Sequence, residues 1–197
     1  MERLTGIQGS MFSGKTTELM RFVERAEIAG QKVQVFKPSV DDRWGVETVR
    51  SHAGHEHEAH IVRDAQEILT LLEKDTDAVA IDEAQFFDEG IVRVVDEILA
   101  MDIKVYFAGL PTDFRHEPFG SMPTLISKAD EVIPLTAICT HSDNGKICGE
   151  DATRTQRFVN GQPAKYTDPI VLIGAEESYA PRCPNHHIVL YDSSDNS

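Results

Sequence analysis

The stretch GSMFSGKT, residues 9–16, fits the pattern G-x-x-x-x-G-K-[ST] of a phosphate-binding loop, or P-loop. An alternating apolar segment, residues 4–8, precedes the loop and predicts a strand. Apolar residues at helical spacing follow in residues 17–29, and Gly30 ends this predicted helix. A glycine-rich turn with a capping lysine is the alternative, but strand, loop and helix in this order are the context that a phosphate site requires.

The loop supplies backbone donors and side chains for a nucleotide. N–H groups at a helix N-terminus are unpaired and lie at the positive end of the helix dipole, so phosphate oxygens bind there. We predict that Lys15 reaches the β- and γ-phosphates of ATP and that the Thr16 hydroxyl binds Mg²⁺. The complete set of predicted phosphate-binding residues is Gly9, Ser10, Met11, Phe12, Ser13, Gly14, Lys15 and Thr16.

The segment AVAIDE, residues 78–83, is typical of a buried parallel strand that ends in two acids. In P-loop proteins a carboxylate at this place, here Asp82, organises Mg²⁺ through water. Glu83 can then face the acceptor of the γ-phosphate. If the acceptor is water the protein is an ATPase; if it is a substrate hydroxyl, the protein is a kinase with Glu83 as general base. The pair alone does not decide between them, and a solvated strand end is the structural alternative.

Strands and helices alternate along the chain as far as Leu135. Further strands are predicted at residues 33–36, 103–108 and 131–135, and further helices at residues 64–74, 91–100 and 123–129. This alternation predicts an α/β fold with a doubly wound, mainly parallel sheet.

Composition restricts the classes of partner. Of 197 residues, 33 are acidic and 19 basic, which gives a formal net charge of −14, and the basic residues do not cluster. Such a surface repels a phosphate backbone, so we predict no nucleic-acid partner. No apolar run reaches the length of about 18 residues typical of a membrane span, so we predict no membrane partner. The first residues lack the apolar stretch of a signal peptide, so we expect a cytoplasmic protein.

The last third of the chain has the ligands for one metal ion. The candidate zinc ligands are Cys139, Cys148, Cys183 and His186. Cys183 and His186 have the short Cys-x-x-His spacing, whereas Cys139 and Cys148 are separated by eight residues, more than the usual two to four. His141 and His187 are rival ligands. Buried free thiols are the alternative to zinc. Between these ligands, residues 140–147 are expected to form a polar loop, and Asn160-Gly161 predicts a two-residue hairpin turn between strands at residues 152–159 and 162–167. Tyr179 is expected to lie in a loop.

Three loops carry further candidates. Arg43 can neutralise phosphate charge during transfer, and a solvated surface arginine is the alternative. Phe114 and Phe119 follow a parallel strand at the edge where α/β sheets bind ligands, although burial in the core is the commoner fate of an aromatic. The histidine-rich stretch SHAGHEHEAH, residues 51–60, is interpreted as an exposed loop or hairpin rather than a metal site.

Several motifs together resemble the cytosolic-type (type II) thymidine kinases. In order they are GSMFSGKTTELMR, QVFKP, AIDEAQFF, DFRHEPFG, the cysteine of LTAIC, TRTQR and DPIVLIGAEESYAPRC. The resemblance implies transfer of the ATP γ-phosphate to the 5′-hydroxyl of thymidine, and of deoxyuridine, to give dTMP in nucleotide salvage. It also implies a homotetramer built from a RecA-like P-loop domain and a small zinc-ribbon-like lasso domain. We place these domains at residues 1–136 and 137–190, with a polar tail at 191–197.

The resemblance also assigns roles residue by residue. It makes Glu83 the base that takes the proton of the thymidine 5′-hydroxyl, places Gln85 in the same nucleotide-contacting segment, and puts Arg43 near the phosphates. Residues similar to those around the nucleoside are Phe86, Leu110, Phe114, Phe119, Thr155, Ile170, Val171, Leu172, Ile173, Gly174 and Tyr179. Cys139, Cys148, Cys183 and His186 fall on the zinc positions.

Two features depart from the family pattern. The first cysteine pair is usually Cys-x-x-Cys, and here an insertion of about six residues shifts the partner to Cys148; a longer loop costs little extra closure entropy, so the zinc site stays predicted. Pro111 stands where the family often has an acid. Two rival functions remain: a RecA-like ATPase in which Glu83 activates water, and a zinc-ribbon binding module on a nucleotide-dependent switch.

Overall fold

The computed structural model of the chain describes residues 3–39, 49–50, 56–170 and 177–191. The strands up to residue 135 are β1 Leu4–Gly9, β2 Val33–Pro38, β3 Val49–Arg50, β4 Glu56–His57, β5 Ala59–Val62, β6 Ala78–Ile81, β7 Lys104–Gly109 and β8 Glu131–Leu135. The later strands are β9 Ala137–Ile138, β10 Ser142–Asp143, β11 Lys146–Ile147, β12 Asp151–Ala152, β13 Arg154–Val159, β14 Gln162–Pro163 and β15 Glu177–Arg182. The helices are α1 Lys15–Ile28, α2 Ala65–Leu71, α3 Gly90–Ala100 and α4 Met122–Lys128, with 3-10 turns at Ala84–Phe86 and Pro184–His186.

A six-stranded parallel sheet in the order β5-β2-β6-β7-β1-β8 organises the first part of the chain. Strand β6 is buried along its whole length, as its apolar sequence predicts. Val79 and Ile81 pack against α2 and α3 on one face, whereas Ala80 packs with residues of α1 on the other face. Because helices cover both faces, the predicted α/β class with a mainly parallel sheet is confirmed.

The sequence predictions up to residue 135 hold apart from one strand. Strand β8 has the predicted bounds, and the other predicted strands and helices are present with shifted ends. Strand β5 is the exception, because it lies partly inside the stretch interpreted as exposed. Ala59 and Val62 of β5 are buried. The strand was not predicted because four residues are too few for an alternating apolar pattern to be recognised.

Beyond residue 136 the strands pair antiparallel, and all except the six-residue strands β13 and β15 have only two residues. The hairpin predicted at Asn160-Gly161 is confirmed, since both residues have positive φ, 50° and 75°, and Val159 pairs with Gln162 across the turn. Its second strand was predicted to reach residue 167 but ends at Pro163. Proline has no N–H to donate, so it weakens any continuation of the ladder.

Two predictions for this part are wrong. Residues 140–147 were expected to form a polar loop, but β10 and β11 pair antiparallel around Asn144 and Gly145, whose φ values are 49° and 79°. An Asn-Gly pair favours this turn whatever the polarity of its flanks. Tyr179 was placed in a loop and lies in β15, opposite Arg157 of β13. The segment ESYAPR has no apolar alternation, so its pairing is not visible in the sequence.

Some sequence predictions fall outside the described residues. These are Arg43, His52, His55, residues 171–174 and all of the predicted tail except Tyr191. Within the histidine-rich region, β3 and β4 pair antiparallel with Val49 opposite His57, as the hairpin interpretation predicts. Among the residues that the structure describes, no helix has the length and apolar character needed to cross a bilayer.

Candidate active site

The candidate site lies at the carboxyl edge of the parallel sheet, where β6, β7 and β1 are neighbours. The P-loop follows β1, the acidic pair follows β6, and Leu110 follows β7 between them. Because the three strands are parallel, these segments meet at one edge, which is where open α/β sheets bind ligands. The order of strands in the sheet therefore brings together motifs that are far apart in sequence.

The P-loop is organised around the carbonyl oxygen of Ser10. This oxygen accepts hydrogen bonds from Lys15 Nζ and from Ser13 Oγ, both at 2.8 Å. Phe12 and Gly14 take positive φ angles of 65° and 85°, which allow the tight path of the loop into α1. The loop thus curls over the N-terminus of α1, as a phosphate cradle must.

Lys15 is the buried cation of the site. Burial lowers the pKa of Lys15, and the charges of Glu83 and Asp82 oppose this shift. An ammonium group held in a water-poor loop is placed to attract phosphate oxygens, because charge interactions are stronger away from bulk water.

A hydrogen bond joins the P-loop to the end of β6. The Thr16 hydroxyl lies 3.0 Å from Asp82 Oδ2 and 3.3 Å from Oδ1. Burial raises the pKa of Asp82 to about 6 and Glu83 adds to this rise, whereas the ammonium of Lys37 and the bond from Thr16 oppose it. A hydroxyl beside a carboxylate is the type of oxygen pair that Mg²⁺ prefers, so these two residues fit that ion. The contribution of Lys37 was not foreseen from the sequence.

Glu83 is held by its neighbours in an uncommon conformation. Its φ and ψ are 51° and 42°, in the left-handed region that non-glycine residues rarely adopt and that occurs preferentially at functional sites. Gln85 Nε2 donates to Glu83 Oε2 at 2.5 Å, and Gln85 Oε1 accepts from Leu110 N at 3.0 Å. Gln85 is itself buried, so its amide orients the Glu83 carboxylate from a fixed position.

Two glycines allow the backbone to approach Gln85. A Cβ atom on Gly109 would lie 2.5 Å from Gln85 Oε1 and 2.7 Å from Met122 Sδ. Gly120 has a φ of +51°, and a Cβ there would lie 2.4 Å from the Gln85 carbonyl oxygen. Neither role was predicted, although Gly120 stands inside the motif DFRHEPFG quoted for the resemblance. The sequence signals for these roles were the place of Gly109 at the end of a strand and that of Gly120 directly after Pro118-Phe119.

The aromatic residues predicted to surround a nucleoside lie close to this edge. The rings of Phe86 and Phe119 meet edge to face, with centroids 5.3 Å apart. Leu110 and Phe114 are buried, and the Arg157 guanidinium lies 5.1 Å from the centre of the Phe114 ring. The structure therefore brings Phe86, Leu110 and Phe119 together beside Gln85, whereas the contacts of Phe114 are with Arg157, Arg115 and His187.

The remaining predicted nucleoside residues belong to the last part of the chain. Thr155 is buried, and its hydroxyl oxygen accepts a hydrogen bond from Met11 N at 3.1 Å. Ile170 is exposed at the end of a described segment, and Tyr179 is half-buried in β15. Of the predicted set, Val171, Leu172, Ile173 and Gly174 lie, like Arg43, outside the described residues.

The predicted zinc ligands converge on one point. One ligand atom from each of Cys139, Cys148, Cys183 and His186 lies within 4.8 Å of all the others. The Sγ atoms of Cys148 and Cys183 are 3.9 Å apart, close to the separation of about 3.8 Å implied by tetrahedral Zn–S bonds of about 2.3 Å. Against the effect of burial, hydrogen bonds from backbone N–H groups lower the pKa of Cys139 to about 6, which favours the thiolate that binds metal. The Cys₃His group can hold a structural zinc ion.

The long Cys-x8-Cys spacing is explained by the β10–β11 hairpin. Cys148 N donates to the His141 carbonyl at 2.8 Å, so the hairpin closes, and Gly149 N donates to the Cys139 carbonyl at 3.2 Å, so the chain returns beside Cys139. Of the rival ligands, His141 stacks on the His186 ring with centroids 4.0 Å apart. His187 Nε2 lies 2.8 Å from the Phe114 carbonyl oxygen. Neither rival is part of the four-residue group.

Comparison with known protein families agrees with this geometry. The family model described as thymidine kinase matches residues 3–187, which is most of the 197-residue chain. The match covers the P-loop, the acidic pair and all four residues of the Cys₃His group. The six-stranded parallel sheet is consistent with the RecA-like fold of such kinases. The chain belongs to the thymidine kinase family.

Proposed function

We propose that the chain transfers the γ-phosphate of ATP to the 5′-hydroxyl of thymidine, and of deoxyuridine, in the presence of Mg²⁺. The observation that carries this proposal is the hydrogen bond between Thr16 and Asp82, with Glu83 next in the chain. It brings the phosphate loop and a pair of carboxylates to one edge of the sheet. Phosphoryl transfer needs positioning and charge stabilisation more than covalent chemistry, and this arrangement supplies both.

The P-loop and Lys15 bind the phosphates in this proposal. Backbone N–H groups of residues 9–16, apart from that of Met11, which donates to Thr155, take up phosphate oxygens. Lys15 neutralises the charge that grows on them during transfer. Mg²⁺, when bound between Thr16 and Asp82, supplies further neutralisation of the phosphate charge. Arg43 is retained as a second neutralising residue, and this role rests on the resemblance alone.

Glu83 is proposed as the general base. A carboxylate that accepts the proton of the 5′-hydroxyl must hold one orientation as the substrate binds. The bond from Gln85 supplies that orientation, and Leu110 N fixes Gln85 in turn. We therefore assign Gln85 to the orientation of the base, rather than to the nucleotide contact that the resemblance implies.

The nucleoside is proposed to bind beside Phe86 and Phe119, with the lasso residues 170–174 and Tyr179 closing over it. Exclusion of water by this closure would favour transfer over ATP hydrolysis. Deoxyuridine lacks one methyl group of thymidine, which is worth about 1–3 kcal/mol in an apolar pocket, so both are proposed substrates.

The proposal extends to the assembly of the protein. We propose that the Cys₃His group binds structural zinc and that a division near residue 136 separates the P-loop domain from the lasso domain. A homotetramer in the cytoplasm, acting in nucleotide salvage, is proposed on the resemblance.

Transfer of labelled γ-phosphate from ATP to a panel of nucleosides tests this function. We expect labelled product with thymidine, less with deoxyuridine and none with purine nucleosides, and loss of product when Mg²⁺ is removed. Steady release of phosphate without any nucleoside product would instead mean that Glu83 activates water, as in an ATPase. A Lys15→Met variant is the control for activity of contaminating enzymes.

A further inference from the structure

Two hydrogen bonds connect the P-loop to the strands of the Cys₃His region. Ser10 Oγ donates to the carbonyl oxygen of Ala152 at 2.9 Å, and Met11 N donates to Thr155 Oγ1 at 3.1 Å. Ser10, Ala152 and Thr155 are all buried, so water does not compete for these contacts. Two consecutive residues of the phosphate loop are thus fixed by a segment more than a hundred residues away.

Ser10 transmits this contact to Lys15. Its side chain donates to Ala152, and its carbonyl oxygen accepts from Lys15 Nζ and Ser13 Oγ. A shift of Ser10 would therefore move the ammonium group as well as the loop. The backbone N–H of Met11 is occupied by Thr155, so in this structure it anchors the loop.

The segment that holds the loop is itself firmly anchored. Ala152 pairs with Ala137 in the β9–β12 ladder, and Cys139 N donates to the Glu150 carbonyl at 2.8 Å. Ala137, Ala152, Cys139 and Cys183 form one buried cluster. Thr155 lies in β13, which is paired along its length with β15. The support therefore comes from strands that are paired and largely buried.

We propose that Ala152 and Thr155 brace the phosphate loop and that Ser10 and Thr155 are positioning residues for ATP. A loop with positive-φ residues has several accessible conformations when it is free, and ordering it costs free energy on binding. A brace that orders the loop beforehand removes this cost and raises affinity. The inference rests on the proposed function in one respect, since it takes ATP as the ligand of the P-loop.

Binding of a fluorescent ATP analogue, the N-methylanthraniloyl derivative, measures the brace without any phosphotransfer. The titration uses the full chain with Mg²⁺ and no nucleoside. Thr155→Val removes the acceptor with little change of shape, and we expect the dissociation constant to rise by about two- to tenfold, the effect of one neutral hydrogen bond. Thr155→Ser retains the oxygen and is expected to bind as the wild type does.

Thr153→Val is the matched control, because Thr153 is exposed on the same segment. It carries the same chemical change and is expected to leave affinity for the analogue unchanged. If Thr155→Val binds the analogue as tightly as Thr153→Val, the brace is refuted. An equal loss in Thr155→Ser would also refute it, since the hydroxyl would then not be the cause. Ser10→Ala is a second variant, expected to weaken binding by a similar factor.

Failure of the proposed function gives a different result. If the P-loop does not bind ATP, the wild type fails to bind the analogue, or Lys15→Met binds it equally well. If Lys15→Met loses binding while Thr155→Val and Ser10→Ala keep it, ATP binds at the P-loop and only the brace is wrong.

Discussion

Replacing Asp82 by Asn should stabilise the ligand-free protein while it abolishes Mg²⁺-dependent transfer. Asp82 is 2% exposed, and burial together with the charge of Glu83 raises its pKa from 3.8 to about 6. At 1.36 kcal/mol for each unit, such a shift corresponds to about 3 kcal/mol of folding free energy lost when the carboxyl is charged. Asn has nearly the same shape and can keep the bonds to Thr16 and to the Glu83 N–H, so the variant mainly removes the charge.

The sign of the pH dependence follows from the raised pKa. The folded protein holds the Asp82 proton more tightly than the unfolded chain does, so wild-type stability falls as the pH rises from about 4 to about 6 and then levels off. The Asn variant has no such group. The stability advantage of Asp82→Asn should therefore be small at pH 4, grow between pH 4 and 6, and stay near about 3 kcal/mol above pH 7.

Urea unfolding of both proteins, followed by circular dichroism at several pH values without Mg²⁺ or nucleotide, measures this difference. Titration of the cysteine group affects both proteins alike and cancels in the comparison. Asp96→Asn, at a surface position paired with Lys128, serves as a control for loss of an acidic residue. A stability difference that does not change with pH, or a destabilised Asp82→Asn protein at pH 8, would contradict the inference that the buried charge of Asp82 lowers the stability of the folded protein.

Three further predictions concern the base, a glycine and the metal group. Glu83→Gln should lower phosphate transfer to thymidine by about a hundredfold or more while ATP binding is retained, because only proton removal is lost; transfer near the wild-type rate would remove Glu83 from the mechanism. Gly120→Ala should cost about 1–3 kcal/mol beyond any loss in the control Gly145→Ala, because both have positive φ but only the Cβ at Gly120 would meet backbone, 2.4 Å from an oxygen. Equal urea midpoints for these two variants would show that the close approach is not limiting. Elemental analysis should find about one zinc ion per chain in the wild type and none in Cys148→Ser, and a folded wild type without zinc would exclude the metal.

Local patterns in the sequence were enough to predict most of the first part of the fold. The P-loop, α1 and β6 could be found because their residues are adjacent in the chain and their apolar periods are long. The hairpin at Asn144 and Gly145 was missed although its turn signal is as strong as that at Asn160-Gly161. Its flanking residues are exposed, and exposed strands have no apolar period to support the turn. Strand β15 was missed because its segment ESYAPR has no apolar alternation, although most of its described side chains are at least half-buried.

For the candidate site, too, residues in local motifs could be predicted from the sequence, whereas contacts between distant segments could not. Lys15, Thr16 and Glu83 were predicted because motif spacing fixes their place relative to the sheet. The bond from Leu110 that fixes Gln85 beside Glu83 and the anchor of Met11 on Thr155 depend on contacts between segments distant in sequence. A periodic pattern carries no information about such contacts, so only the structure reveals which side chain orients the base and which one fixes the phosphate loop.

The ligand-free site carries several features that oppose folding. Asp82 is a buried acid beside a second acid, burial lowers the pKa of Lys15, and Glu83 has a left-handed backbone conformation. Each feature costs free energy that the packed sheet must supply, as strained functional sites commonly do. A ligand that carries phosphate and a divalent cation would satisfy both charges at once, so it should stabilise the folded protein more than its contacts with the loop alone suggest. The same reasoning makes the brace from Thr155 useful, because a costly arrangement of charges needs an ordered loop to keep it in place before the nucleotide binds.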